Sequence, residues 1–188
     1  MPRWSSPWWT AVAASAPAVL LVWASAPPGG YFVLTVLALA CWGAVGLAWL
    51  LTSTVAVPAL PLPRRRHVAR LWPFLLAPAL SAASLTAAGG DVAHRFAFDA
   101  HRAALEAVVA EAVTAPERPI RDRRVGLFTV DVSTDAANGC TLLAVEDAGL
   151  LNETGWAHCP DRAPVSAGVD GYKYRPSGGP WYTYVFDW

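Results

Sequence analysis

The distribution of charge in the first ninety residues constrains this chain more than any other feature. Residues 1–90 contain five charged side chains, all of them arginine. Four of the five lie in one short stretch, named here the arginine loop: Arg64, Arg65, Arg66 and Arg70. Three long apolar segments without any acid or lysine surround it: 8–26, 31–57 and 68–88. About 20 apolar residues in a helix cross the hydrocarbon core of a bilayer. The sequence therefore predicts a membrane domain, residues 1–88, with three transmembrane helices in the lipid bilayer.

The arginine loop also predicts how the chain is oriented. Cytoplasmic loops of membrane proteins are enriched in Lys and Arg, so this loop, and the N-terminus with Arg3, are expected in the cytoplasm. The short turn at residues 27–30 makes the first two segments an antiparallel hairpin. The C-terminal domain then lies outside the cytoplasm. An alternative makes segment one a signal peptide cut after Ala26, although Pro27 disfavours cleavage; the C-terminal domain would still be outside.

The second half of the chain has the composition of a soluble domain. Residues 91–188 carry a net charge of −5, and an acidic domain without a basic stripe is not a nucleic-acid-binding protein. Residues 89–188 are enough for a hydrophobic core of their own. A helical pattern with Asp91 as its N-cap runs to about Thr114, and alternating segments follow. The prediction is an extracytoplasmic α+β domain, one helix packed on a four- to five-stranded antiparallel sheet.

Individual patterns refine this prediction. Phe98, Leu105 and Val109 fall on one stripe of the helix, and Phe96 falls on the other side. Residues 125–132 alternate as one strand. Asn138–Gly139 indicates a hairpin, and a last hairpin pairs residues 172–175 with 181–186 through a turn at residues 176–180.

Cys140 and Cys159 are the most specific candidate site. They are placed almost symmetrically about the turn near Leu150, so they should face each other on two antiparallel strands. Outside the cytoplasm a disulfide can form between them. The alternative is two unpaired thiols, and a metal site with His158 lacks a second pair of ligands.

Aromatic residues crowd the last hairpin and define a possible binding surface. These residues are Tyr172, Tyr174, Trp181, Tyr182, Tyr184 and Trp188. Alternation sends them to both faces of the sheet, and only one face packs on the helix. The other face is either covered, or contacts lipid headgroups, or is a stacking surface for a sugar or peptide.

Chemistry of other kinds has weaker signals. His94 and His101 are two helical turns apart, which suits metal binding or proton transfer, although half-buried histidines beside an apolar stripe are commoner. His158 and Asp161 flank Cys159 as in a hydrolase, but a disulfide consumes that nucleophile. The sequence has no P-loop, G-x-S-x-G or H-E-x-x-H motif. We therefore assign no catalytic residue, no metal and no cofactor.

Three stretches carry a family resemblance: residues 124–132 (RVGLFTVDV), 149–161 (GLLNETGWAHCPD) and 178–184 (GGPWYTY). In these the chain resembles uncharacterised actinobacterial membrane proteins, which place a helix and a small sheet after a few membrane helices. The resemblance covers roughly the last seventy residues and implies no activity.

Together these patterns predict a multi-pass protein of the cell membrane with an extracytoplasmic binding module and no chemistry of its own. Its partner would be an envelope protein or a cell-wall glycan. The alternatives are a structural subunit of a membrane complex, built on the small-residue row Ala40, Ala44 and Ala48 with Gly43 and Gly46 beside it, or an extracytoplasmic hydrolase.

Overall fold

A computed structural model describes residues 8–56, 68–90, 92–115, 120–167 and 171–187. The chain divides into two compact units. The helical unit lies within Met1–Trp23 and Val33–Gly90. The sheet unit combines Asp91–Trp188 with a short segment from the beginning of the chain, Ala24–Phe32. The sequence places that short segment in the membrane domain, whereas the structure packs it with the C-terminal residues.

The first three helices lie where the apolar segments were predicted. They are α1, Trp8–Ala24; α2, Phe32–Ala56; and α3, Val68–Gly89. Among the described residues, α2 is the one helix that is by itself long and apolar enough to cross a membrane, over Phe32–Thr54. The apolar helix at Val12–Ala24 is shorter. The arrangement with three membrane spans therefore stays a prediction.

The side chains of α2 face outward instead of into a protein core. Only 6% of its most apolar 18-residue window is buried, whereas a core helix of a soluble protein is mostly buried. Large exposed side chains follow each other along the helix: Val33, Val36, Leu37, Leu39, Leu47, Leu50 and Leu51. By length and composition, such a helix is suited to cross the hydrocarbon core of a bilayer.

The fourth helix begins the C-terminal part of the sheet unit. It is α4, Val92–Thr114; the predicted N-cap, Asp91, lies outside the described residues. Phe98, Leu105 and Val109 are buried as the periodicity predicted, and Phe96 is exposed on the opposite side. Arg102 pairs with Glu106 one turn later at 2.9 Å.

Within the described residues, six strands form one antiparallel sheet, one or two more than predicted. In spatial order the sheet runs β1-β2-β3-β4-β6-β5. The strands are β1, Arg123–Val125; β2, Phe128–Asp135; β3, Cys140–Val145; β4, Glu153–His158; β5, Gly171–Gly178; and β6, Trp181–Asp187.

The extra strand comes from a tight turn inside the segment predicted as one strand. Gly126 has a positive φ of 59°, which glycine adopts without steric cost, and the chain reverses so that Val125 pairs with Phe128. Leu127 stays exposed at the tip. In the sequence the turn leaves only a change of phase: Val125 and Leu127 are apolar at odd positions, and the apolar residues from Phe128 onward are at even positions. The prediction of one strand overlooked this change.

The last hairpin is longer than predicted. Strand β5 continues through Pro176, which pairs with Tyr182, and a register shift follows between Pro176 and Gly178. The turn is confined to Gly179 and Pro180. Proline is tolerated because β5 is an edge strand, where one side of the backbone has no neighbouring strand to bond.

One face of the sheet packs against α4. Phe98 meets Trp181 edge-on at 5.5 Å between ring centroids, and Phe128 meets Trp156 at 5.2 Å. The remaining buried members of this core include Leu105, Val108, Val109, Val130, Leu143 and Val145. The predicted class, one helix packed on an antiparallel sheet, is confirmed for this unit.

The sheet bends toward its opposite face, and the side chains on that face form a second, smaller core. The Tyr174 hydroxyl on β5 donates a 2.6 Å hydrogen bond to Asp135 on β2, although β3, β4 and β6 lie between those strands. Four spacings of about 4.8 Å would separate them by roughly 19 Å in a flat sheet. The sheet must therefore bend toward this face. Its buried members are Cys140, Leu142, Ala157, Cys159 and Tyr184.

Candidate functional site

The predicted disulfide is present. Cys140 begins β3 and Cys159 directly follows β4, and their sulfur atoms are bonded with the Cα atoms 4.4 Å apart. The register explains the pairing, since Thr141 lies opposite His158 and the next pair along is the two cysteines. Cys41, on α2, is a free cysteine.

The aromatic residues proposed as a binding surface divide between the two faces. Trp181 is fully buried in the core beneath α4, and Tyr184 is fully buried in the core of the opposite face. The division between two faces is the one that the alternation predicted, and neither of these two buried rings can contact a ligand. Trp188 lies outside the described residues. Tyr172, Tyr174 and Tyr182 are half-buried around the second core.

We call Tyr172, Tyr174, Tyr182 and Tyr184 the tyrosine face, and a buried carboxylate lies at one end of it. Asp135 accepts hydrogen bonds from the Tyr174 hydroxyl, from the Asn138 amide and from the backbone N–H of Ala137. Burial alone would raise the pKa of the Asp135 carboxyl, but these hydrogen bonds lower it below its ordinary value. For Tyr174, burial and then the bond to the carboxylate raise the pKa of the phenol strongly.

A second tyrosine–carboxylate pair lies at the other end. The Tyr184 hydroxyl donates to Glu153 at 2.8 Å. Burial raises the pKa of Tyr184 strongly, and the negative charge of Glu153 raises it further. Burial likewise raises the pKa of Tyr172. These phenols are therefore neutral hydrogen-bond donors at neutral pH. The arrangement can hold a polar ligand against aromatic rings, and it has no obvious nucleophile.

A loop connects the β2–β3 turn with strand β5 across the face toward which the sheet bends. Residues 160–167 connect β4 toward β5 without regular structure. The backbone N–H of Val165 donates to the Asn138 side chain, while Ser166 accepts from the backbone N–H of Tyr174. The loop therefore bridges the β2–β3 turn and the edge strand, so this face is partly covered, which was one of the three alternatives that the sequence left open.

The turn between α1 and α2 is built into the sheet unit. We call Ala24–Phe32 the docked turn. The buried Thr154 hydroxyl donates a 2.7 Å hydrogen bond to the Pro28 carbonyl oxygen. The backbone N–H of Gly149 donates to the Gly30 carbonyl at 2.8 Å, and Tyr31 forms a parallel bridge with Gly149. Nothing in the sequence pattern indicated this contact, because its partners are more than a hundred residues apart.

The fit of the docked turn is close. A Cβ atom at Gly29 would lie 2.7 Å from two side-chain atoms of Thr154, and Gly29 also has a positive φ of 77°. On the other side, His94 Nδ1 lies 3.3 Å from the Ala26 carbonyl. A carbonyl oxygen only accepts, so this nitrogen carries its proton. The His94 ring also stacks on Trp156 at 6.0 Å.

The three described histidines of the sheet unit lie near the interface of helix and sheet, but they do not form a metal site. His101 Nδ1 bonds the Ala97 carbonyl at 2.8 Å, and its ring meets Phe128 edge-on. His158 lies against Trp181, where burial lowers the pKa of its imidazole despite the nearby Glu106 charge. Within the described ranges, no group of three or more His, Cys, Asp or Glu side chains is arranged to bind a metal.

Two predictions remain, the hydrolase hypothesis at Cys159 and the arginine loop. The Cys159 sulfur is bonded to Cys140, so the hydrolase hypothesis has no thiol beside His158. Of the arginine loop, the backbone of Arg70 belongs to the first turn of α3. Arg64, Arg65 and Arg66 lie outside the described residues.

No protein family, curated protein or solved structure matches this chain. The resemblance to actinobacterial membrane proteins therefore stays a prediction. The class that the described residues define is an antiparallel α+β unit with an internal disulfide, joined to an apolar helix that can cross a membrane.

Proposed function

We propose that this is a multi-pass membrane protein whose sheet unit is an extracytoplasmic binding module for a partner protein or an envelope component. The observation that carries the proposal is the docked turn. Its last residue, Phe32, is the first residue of α2, and its backbone is hydrogen-bonded to the sheet unit through Pro28 and Gly30. The segment that leads into α2 is therefore itself part of the sheet unit.

Chain order supports more than one membrane span. If α2 crosses the bilayer, residues 57–67 lie on the side opposite the docked turn. The chain must then return before α4, because α4 and the docked turn belong to one compact unit. The segment available for that return is α3. The excess of positive charge in the arginine loop favours the cytoplasm for residues 57–67, and hence the outside for the sheet unit.

Sidedness can be tested with a single cysteine. Val165 is exposed, and Val165→Cys in a Cys41→Ser background offers one free thiol to a membrane-impermeant maleimide. We expect labelling in intact cells. The matched control is His67→Cys, beside the arginine loop, which should label only after the cells are opened. Labelling of the Val165→Cys protein only after lysis would contradict the extracytoplasmic assignment.

The binding role is supported by the tyrosine face. Half-buried aromatic rings next to carboxylates stack on the apolar faces of sugars or peptides and bond their polar groups. Tyr172 and Tyr182 have partly accessible rings, while Tyr184 is fully buried and is excluded as a direct contact.

The experiment is co-sedimentation of the full-length protein in detergent with insoluble cell-wall glycan. We expect Tyr182→Ala and Tyr172→Ala to lose retention while the near-ultraviolet circular dichroism remains native. Thr183→Ala is the matched control, since Thr183 is the next residue on β6 and points to the other face. Equal retention of all variants would exclude the tyrosine face, and no retention of the wild type would exclude glycan and leave a protein partner.

A second candidate, a structural subunit of a membrane complex, is favoured by one observation on α2. A Cβ atom added at Gly43 or Gly46 would meet nothing within 4 Å, so this small-residue surface is open to another helix. Gly43→Leu and Gly46→Leu should then abolish co-purification of a membrane partner. Co-purification that also survives deletion of residues 91–188 would favour this candidate over the binding module.

A further inference from the structure

The β3–β4 loop exposes two adjacent leucines at the end of the sheet unit that carries the docked turn. Leu150 is 61% exposed and Leu151 is 77% exposed. Single exposed leucines are common on protein surfaces. These two are different because they directly follow Gly149, the residue that bridges Tyr31 and bonds Gly30.

The position of this loop relative to a bilayer follows from the length of α2. The apolar segment Phe32–Thr54 has 23 residues, and at about 1.5 Å per residue it is roughly 35 Å long. This length slightly exceeds the roughly 30 Å hydrocarbon core. Phe32 therefore lies at the boundary between hydrocarbon and headgroups, and Gly149, paired with the residue before it, lies at nearly the same level.

The side chains around the loop have the character of a membrane interface. Phe32 at the start of α2 is itself exposed. Tyr31 directly precedes it, and Tyr is one of the two residue types that concentrate at this depth. On the polar side, Asn152 bonds Asp187, which pairs with Lys173. The loop also contains Glu146 and Asp147, both exposed. Because of these acids, anionic headgroups do not attract the loop. Burial of the two leucine side chains is therefore the interaction that would hold the loop at the membrane.

We propose that Leu150 and Leu151 insert into the interfacial layer of the same membrane that α2 crosses, as a second apolar contact of the sheet unit with lipid. The inference rests on the proposed membrane topology and adds a lipid-binding surface to it. The ligand is the apolar part of the interface and not a specific headgroup. The docked turn, in which Tyr31 pairs with Gly149, keeps the two leucines close in the chain to a residue next to the beginning of α2.

The depth of the loop can be measured with nitroxide labels. The full-length protein carries Cys41→Ser and one reporter, Leu150→Cys or Leu151→Cys, and is reconstituted in phosphatidylcholine vesicles. The matched control is Val165→Cys, which replaces another exposed apolar side chain (74%). Val165 is bonded to Asn138 in the β2–β3 turn, at the opposite end of β3 from residues 150 and 151.

The readout is the ratio of collisions with oxygen, which enters lipid, to collisions with a water-soluble nickel chelate. We expect a several-fold higher ratio at residues 150 and 151 than at residue 165, unchanged by added phosphatidylglycerol. Equal ratios at all three positions would overturn the proposal, and so would a high ratio that requires the anionic lipid. The depth of a label in a vesicle does not depend on which side of the membrane the sheet unit occupies. Equal collision ratios would therefore contradict only the insertion of the leucines, whereas the maleimide experiment tests only the side of the membrane.

Discussion

The Thr154 hydroxyl donates a buried 2.7 Å hydrogen bond to the carbonyl oxygen of Pro28, 126 residues earlier in the chain. Thr154 lies on β4 in the middle of the sheet, and Pro28 lies in the docked turn between α1 and α2. This contact ties the beginning of the chain to a domain that is formed by its end. Local stability of the sheet unit and the attachment of the docked turn should therefore change together.

Thr154→Val tests this bond, because valine keeps the shape of threonine and removes the donor. The Pro28 carbonyl would be left buried without this donor, at a cost of about 1–3 kcal/mol. We expect a matching loss in chemical unfolding followed by near-ultraviolet circular dichroism. The control is Thr183→Val, whose hydroxyl makes only an exposed 3.4 Å bond to Arg175. Equal losses for the two variants would mean that the Pro28 bond contributes nothing specific.

Gly29→Ala tests the fit of the docked turn. An added Cβ would be 2.7 Å from Thr154 and would also force a non-glycine residue into positive φ. The backbone strain costs about 1–2 kcal/mol, and the overlap adds about 1–3 kcal/mol.

Gly139→Ala separates these two contributions. Gly139 has a similar φ of 69° but nothing within 4 Å of its added Cβ, so only the backbone strain applies. We expect unfolding measurements to show a clearly larger loss for Gly29→Ala than for Gly139→Ala. If the two losses were the same, the docked turn would not be closely packed in solution.

The disulfide should contribute strongly to the stability of the sheet unit. It joins residues separated by 19 positions, and a loop of that size corresponds to about 3 kcal/mol of restricted unfolded-state freedom. We expect the double variant Cys140→Ala, Cys159→Ala to lose about this amount in chemical unfolding. Cys41→Ala, which removes the free cysteine of α2, should leave the unfolding of the sheet unit unchanged. A double variant as stable as the wild type would contradict this prediction.

The tyrosine face makes the protein sensitive to alkaline pH. The pKa values of Tyr174 and Tyr184 are raised in the fold by burial and then by the neighbouring carboxylates. A raised phenol pKa stabilises the folded state below the unfolded value of about 10, and this stabilisation is lost as the pH rises above it. We therefore expect these two phenols to ionise only together with unfolding.

Ultraviolet titration of tyrosinate measures this directly. The chain contains five tyrosines, and the wild type should show a late, cooperative step that coincides with loss of the near-ultraviolet circular dichroism signal. Tyr184→Phe should decrease the amplitude of that step by one tyrosine. Ionisation of all five near pH 10 with the dichroism retained would be inconsistent with buried, carboxylate-bonded phenols.

Local patterns in the sequence were sufficient to predict most helices and strands of the fold, but not all of their boundaries. The stripe of Phe98, Leu105 and Val109 predicted the buried side of α4, because helical periodicity depends only on near neighbours. The two-residue turn at Gly126 was missed because a turn this short leaves only a change of phase in the alternation, between Val125 before it and Phe128 after it. The pairing of Cys140 with Cys159 could be predicted because both flank one hairpin, so that sequence distance determines register.

The sequence by itself determined the apolar segments, the charge asymmetry, the antiparallel α+β class and the disulfide, all of which follow from composition and short-range spacing. Only the tertiary structure decided that the sheet curls until Tyr174 reaches Asp135, and that the docked turn packs on Thr154. Both contacts join segments distant in the chain, and their existence depends on the accumulated twist of six strands and on side-chain fit. Alternation predicted that the aromatic residues of the last hairpin divide between the two faces, but only the bend of the sheet buries Tyr184 in a second core.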